Sequence, residues 1–181
     1  MVAASGWERP VANVWAIRVV ALALAAPFIV GTTGLSTNLD ARLLAAHNRE
    51  RSAAGVPPLQ WDDQLAADAA GWAETLVETN QFEHSDDDDD DPQGENLWLG
   101  TKAYYPPEAM VGMWIEEKKD FRPGAFPAVS RTGNYEDVGH YTQLMWRDTG
   151  SVGCAVRTGE EYDILVCRYR HAGNVEGERV F

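Results

Sequence analysis

Four side chains in this sequence are of the types that bind metals or move protons, and each stands in unusual company. His140 opens the stretch GHYTQLMWRDTGSVGCAV at 139–156, followed by an aromatic, a glutamine and a second aromatic. Glu117 comes three residues after Trp114 and seven after Met110. On a helix it shares their inward stripe, whereas Glu116 is rotated by roughly 100° toward water. A carboxylate on an apolar stripe needs a cation or hydrogen-bond donors, since burying it charged and alone is very costly; the other reading is a rim position satisfied by water. His84 and Glu95 bracket HSDDDDDDPQGE, His84 just past a helix end and Glu95 at the start of a strand. Two imidazoles with a carboxylate suit a zinc ion with an open coordination position, beside which Glu95 or Glu117 could act as general base. No HExxH or other close ligand pair is present, so spacing alone does not bring the four together.

The two cysteines offer a different chemistry. Cys154 and Cys167 lie in VGCAVRT (152–158) and YDILVCRYR (162–170), segments rich in Val, Ile and Tyr with a GEE turn between them. An even count in an exported chain favours pairing, and the pair could staple a hairpin. The competing reading makes Cys154 a nucleophile served by His140; reactive thiols need an electropositive setting, and this chain is acidic.

Several elements must position these groups. The pattern predicts a helix over 37–55, with Leu39, Leu43, Ala46 and Glu50 on one stripe and Gly55 at its end, before VPPLQW breaks it. A second helix starts at the cap Asp62 and carries Leu65, Ala69, Trp72 and Leu76 at helical spacing to near Asn80. ENLWLG reads as a short strand. A third helix opens on Pro106 and Pro107, with Met110, Met113, Trp114, Glu117 and Phe121 facing inward. A long loop over 122–138, a short helix around Tyr141 to Trp146 and the two cysteine strands complete the pattern. The connections around the strands are too short for repeated parallel crossovers, so the fold class is α/β of the α+β kind, a mostly antiparallel sheet covered by helices.

Charge and the N-terminal composition bound the function. The 181 residues carry a formal net charge of -13 with no basic cluster, which excludes nucleic acid and disfavours anionic membrane surfaces as partners. Arg9 and Arg18 precede the apolar run VVALALAAPFIV at 19–30, which ends in GTTG. Residues 1–36 therefore read as a secretory signal, leaving one domain over 37–181 and a secreted, extracellular location. The run contains Pro27 and falls short of the roughly 20 apolar residues a span needs, so no membrane span is expected after signal removal, and a retained anchor is the lesser reading.

Five stretches in order, HNRERSAAGVPPLQWDDQLAADAAGWA, HSDDDDDDPQGENLWLG, MWIEE, GHYTQLMWRDTGSVGCAV and LVCRYRHAGN, resemble the CAP superfamily of cysteine-rich secretory, antigen 5 and pathogenesis-related 1 proteins over about residues 39–174. The resemblance implies a three-layer α-β-α sandwich. It also implies that His84, Glu95, Glu117 and His140 line a central cleft in which the two histidines bind zinc or another divalent metal. The resemblance admits a structural or signalling surface and a secreted, non-enzymatic binding module for a sterol, lipid or other extracellular ligand; the binder is favoured because a catalytic zinc usually needs three protein ligands, whereas two histidines suggest a weaker, exchangeable metal. The alternative is a metal-dependent hydrolase or peptidase using the same cleft. His47 matches a family position and is expected to pack or hydrogen-bond within the first helix. His171 receives no role. The run Asp86 to Asp91 reads as a solvated loop that would concentrate cations if it flanks the cleft.

Overall fold

The computed structural model describes residues 38–86 and 90–181; the expected signal segment lies outside the described residues. The described elements run α1 (Leu39–Ala53), β1 (Gln60–Trp61), α2 (Asp63–Thr79), β2 (Gly94–Thr101), α3 (Pro107–Glu116), α4 (Gly139–Met145), β3 (Ser151–Thr158) and β4 (Tyr162–Arg170). A 3₁₀ turn over Glu117–Lys119 continues α3, and another over Tyr135–Val138 leads into α4.

The four strands form one sheet in the order β1-β3-β4-β2. β4 pairs antiparallel with both β3 and β2, as the sequence pattern predicts, whereas the two residues of β1 pair parallel with β3, so the sheet is mixed. Two residues after a double proline carry too little alternation to announce a strand. β4 is central, and its alternation divides the core. Ile164 and Val166 join Leu97 and Ala155 against Ala69, Ala73 and Leu76 of α2. Leu165, Cys167 and Tyr169 face the larger cluster built from α1, α3 and α4, which includes Leu43, Trp98, Met110, Trp114 and Leu144. The result is an α-β-α sandwich.

Local chemistry explains the main joints. Asp62 caps α2 through its side chain, accepting from Gln64 N–H and Leu65 N–H. That helix start lies so close to β3 that a Cβ on Gly153 would sit 2.2 Å from Ala66 N, so only glycine fits there. Arg42 of α1 grips Glu108 of α3 with two bonds of 2.7 and 2.6 Å. Cys154 and Cys167 stand directly opposite across β3 and β4 and are joined in a disulfide, which removes Cys154 as a nucleophile. Met113, expected inward, is 38% exposed: it sits beyond Trp98, whose indole N–H points at its sulfur at 2.9 Å.

Candidate functional site

The four residues singled out above form two matching forks. In each, one glutamate takes a histidine ring and the backbone N–H of the next residue. Glu117 Oε1 meets His140 Nδ1 at 2.6 Å, and its Oε2 accepts Tyr141 N–H at 3.0 Å. Glu95 Oε1 meets His84 Nδ1 at 2.6 Å and accepts Ser85 N–H at 3.2 Å. Glu117, at the head of the 3₁₀ turn that continues α3, therefore has its donors, supplied by the first turn of α4. Val138 provides no side-chain cap for that helix, so the Glu117 carboxylate does the work of one at its positive end. Glu95 performs the same service for the loop entering β2.

Burial separates the two forks. The Glu95 side chain is 7% exposed, and Arg168, its direct partner in the β2–β4 register, sets Nη2 3.0 Å from Oε2. The approach is close enough for an ion pair but not aligned as a hydrogen bond. His84 stands out at 62% exposure, against 33% for His140. The His140 ring lies parallel to that of buried Trp114, centroids 6.0 Å apart, and the Trp114 indole N–H is tied to Leu97 O at 3.1 Å. Stacking and the Glu117 contact together fix this imidazole.

Beneath the cleft runs a buried chain of hydrogen bonds. Asn96 Nδ2 donates to His140 O at 3.0 Å and to the Tyr169 hydroxyl at 3.2 Å. That hydroxyl reaches His47 Nε2 at 2.9 Å, and His47 Nδ1 donates to Leu43 O at 2.8 Å. Burial pushes the His47 pKa down to about 4 and pushes that of Tyr169 up, so both stay neutral and the chain keeps one direction. His47 is thus the packing and hydrogen-bonding residue expected. His171 contributes its carbonyl to Thr149 Oγ1, with no part in the forks.

Two adjoining cavities open at this place. One of about 300 Å³ is lined by His84, Glu95, Asn96, Tyr135, Glu136, Gly139, His140 and Asn174. A larger one, about 670 Å³, shares His84, Glu95 and Asn174 with it and extends past Asp68, Gln93 and Arg168. The sequence motifs meet here: a Cβ on Gly94 would lie 2.0 Å from Gln143 Oε1, which also accepts Gly173 N–H at 2.8 Å.

The profile of CAP, the Cysteine-rich secretory protein family, matches residues 44–169. The chain belongs to the CAP family. Among its relatives, pathogenesis-related protein 1 of Arabidopsis thaliana is 37% identical over 139 residues, 76% of this chain and 80% of that protein. Pathogenesis-related protein 1A of Nicotiana tabacum is 35% identical over 136 residues, 75% of this chain and 76% of the relative. Scoloptoxin SSD976 of Scolopendra dehaani is 31% identical, covering 82% and 76%. In fold the CAP domain is similar to the crystal structure of NaASP2 with Zn2+, with a TM-score of 0.70 at 23% identity over 83% of this chain and 88% of that one.

This CAP domain brings His84, Glu95 and His140 to one cavity wall, with Glu117 behind His140. Sequence reasoning missed Tyr135, Glu136, Asn96 and Asn174. Tyr135 and Glu136 sit in a 3₁₀ turn whose three residues per turn leave no apolar period to read. Asn174 has φ 58°, a left-handed position for which asparagine is suited, and its amide is held by Thr142 Oγ1 and Gly139 O. Of the aspartate run, Asp86 and Asp91 line the larger cavity, and Asp91 is gripped by Arg170 at 2.5 Å.

Proposed function

We propose that this protein is a secreted, non-enzymatic binding module whose cleft holds a divalent metal ion through His84 and His140. The observation that carries the reading is the pair of forks. An imidazole fixed at Nδ1 by a carboxylate offers Nε2 to a metal, in the orientation and with the raised basicity that ligating histidines usually have. The donor set fits a two-imidazole site completed by water. Among the described residues no group of three His, Cys, Asp or Glu is arranged to hold a metal, so these residues form no closed centre of three or four protein ligands. Binding would then be weak and exchangeable. NaASP2, alike in fold, was crystallised with Zn2+, which makes zinc the ion to test first.

When bound, zinc would act as a Lewis acid toward an oxygen or nitrogen of the ligand. The protein's own groups would orient the two rings, with Trp114 keeping the His140 plane fixed. Both oxygens of each glutamate already face partners, Glu117 with His140 and Tyr141, Glu95 with His84, Ser85 and Arg168. Neither carboxylate is placed as a base waiting for a water, which favours the binder over the hydrolase or peptidase. These two cavities are walled mainly by polar side chains, so a polar ligand suits them better than a sterol or lipid. Secretion rests on the N-terminal signal reading and agrees with the disulfide and with the classes of relative.

The experiment is a hydrolysis assay on mixed peptide and ester substrates with zinc and with chelator. We expect no turnover that zinc restores. Turnover lost in Glu117→Gln or Glu95→Gln would establish the hydrolase instead.

A further inference from the structure

The smaller chamber has features that the two imidazoles do not explain. At its mouth Tyr135 is 45% exposed, its ring backed edge-on by Phe126 with centroids 5.2 Å apart. Glu136, the next residue, is exposed and lines the same chamber. At the floor, Asn96 is 1% exposed, and its Nδ2 is committed to His140 O and the Tyr169 hydroxyl. Turning the amide over would set oxygen against the carbonyl, so its orientation is fixed. The remaining oxygen, Oδ1, has no hydrogen-bond partner among the described residues, and Asn96 lines this chamber. An aromatic face, an exposed carboxylate and an unpaired oxygen acceptor are the groups that hold an ammonium or guanidinium head.

The larger chamber extends the same chemistry. Its lining holds the carboxylates Asp68, Asp86, Asp91 and Glu95 against one guanidinium, Arg168. Arg170 engages Asp91, and Arg168 with His84 engages Glu95. Asp68 is bonded by the neutral amides of Gln64 and Gln93, each at 2.9 Å, and forms no ion pair with a described residue. Its charge is held in position without being neutralised by contact. Strand alternation sets Glu95 and Arg168 on the α2 side of the sheet and Asn96 on the other, so the chambers wrap around the start of β2 and meet at His84, Glu95 and Asn174.

We propose that the two chambers together bind an extended organic cation with spaced amino groups, either a free oligoamine or a basic peptide. One ammonium enters the smaller chamber against Tyr135, Glu136 and Asn96 Oδ1; a second is taken by Asp68. The proposal needs no metal and stands apart from the zinc reading.

The test is calorimetry in EDTA with spermine and with tetralysine as probes, the tighter of the two identifying the source. We expect one ligand per chain, with Tyr135→Leu, Glu136→Gln and Asp68→Asn each weakening binding about threefold or more. Glu78→Gln, exposed on α2 outside both linings, should leave it unchanged. Absence of binding by both probes would overturn the proposal. So would equal weakening by Glu78→Gln, which would reduce the effect to diffuse attraction by an acidic surface.

Discussion

Glu117 serves a side chain and a helix end at once, and a substitution can separate the two. Glu117→Gln keeps an oxygen for Tyr141 N–H but loses the charge opposite His140 and at the start of α4. We expect a stability loss of about 1 kcal/mol, the usual worth of a cap, with zinc affinity reduced roughly 10 to 100-fold. Chemical denaturation and calorimetry on the same variant check both numbers, while Glu116→Gln should change neither. His47 governs a different variable. Its folded pKa of about 4 lies below the unfolded value of 6.5 because burial disfavours the imidazolium, so the unfolded chain binds the extra proton first. Stability contributed by neutral His47 is therefore complete above about pH 6.5 and is lost as pH falls toward 4. The shift corresponds to roughly 3 kcal/mol. Urea denaturation at pH 7 and pH 4.5 should show most of this loss, and His47→Phe should remove that part of the pH dependence even where the variant is less stable at pH 7.

At the scale of elements, Arg51 binds the end of α4 to α1. Its guanidinium is fully buried and donates to the carbonyls of Pro57, Leu144, Trp146 and Thr149. Burial lowers its pKa to about 10, so it stays charged at neutral pH. Arg51→Met strands those carbonyls in the interior and should cost at least about 3 kcal/mol, measured by denaturant unfolding. The disulfide ties the two central strands across 13 residues of separation, and its reduction should cost about 3 kcal/mol; intact mass should show no alkylatable thiol before reduction. These two anchors differ in how far the sequence discloses them. The bridge was legible because both cysteines fall in strand-like segments around a turn. Arg51 was not, since arginine is usually exposed and carbonyl partners have no sequence signature. The stripe on α3 likewise announced that Glu117 needed donors without naming them. That His140 supplies one depends on a turn of chain 23 residues away, which periodicity does not encode and only the family resemblance suggested.

At the scale of the whole molecule, an acidic CAP chain carries a disulfide and a polar two-chambered cleft, and its secretion and its role as a binder are the proposals to test. Export predicts a mature N-terminus between about Thr32 and Leu39, which N-terminal sequencing of the secreted protein would find; a chain retaining residues 19–30 would instead favour the anchor. The cleft is a property of the assembled sandwich: the 3₁₀ turn after α3 brings Glu117, α4 His140, β2 Glu95 and Asn96, and the loop after α2 brings His84. Under the proposal above, a divalent ion binds the two imidazoles, each held by its own carboxylate. Zinc calorimetry on the wild type and on His84→Ala/His140→Ala tests it most directly. We expect one weak site per chain in the wild type and none in the double variant. Equal zinc affinity in the two proteins would contradict it and assign the ion to the acidic loop.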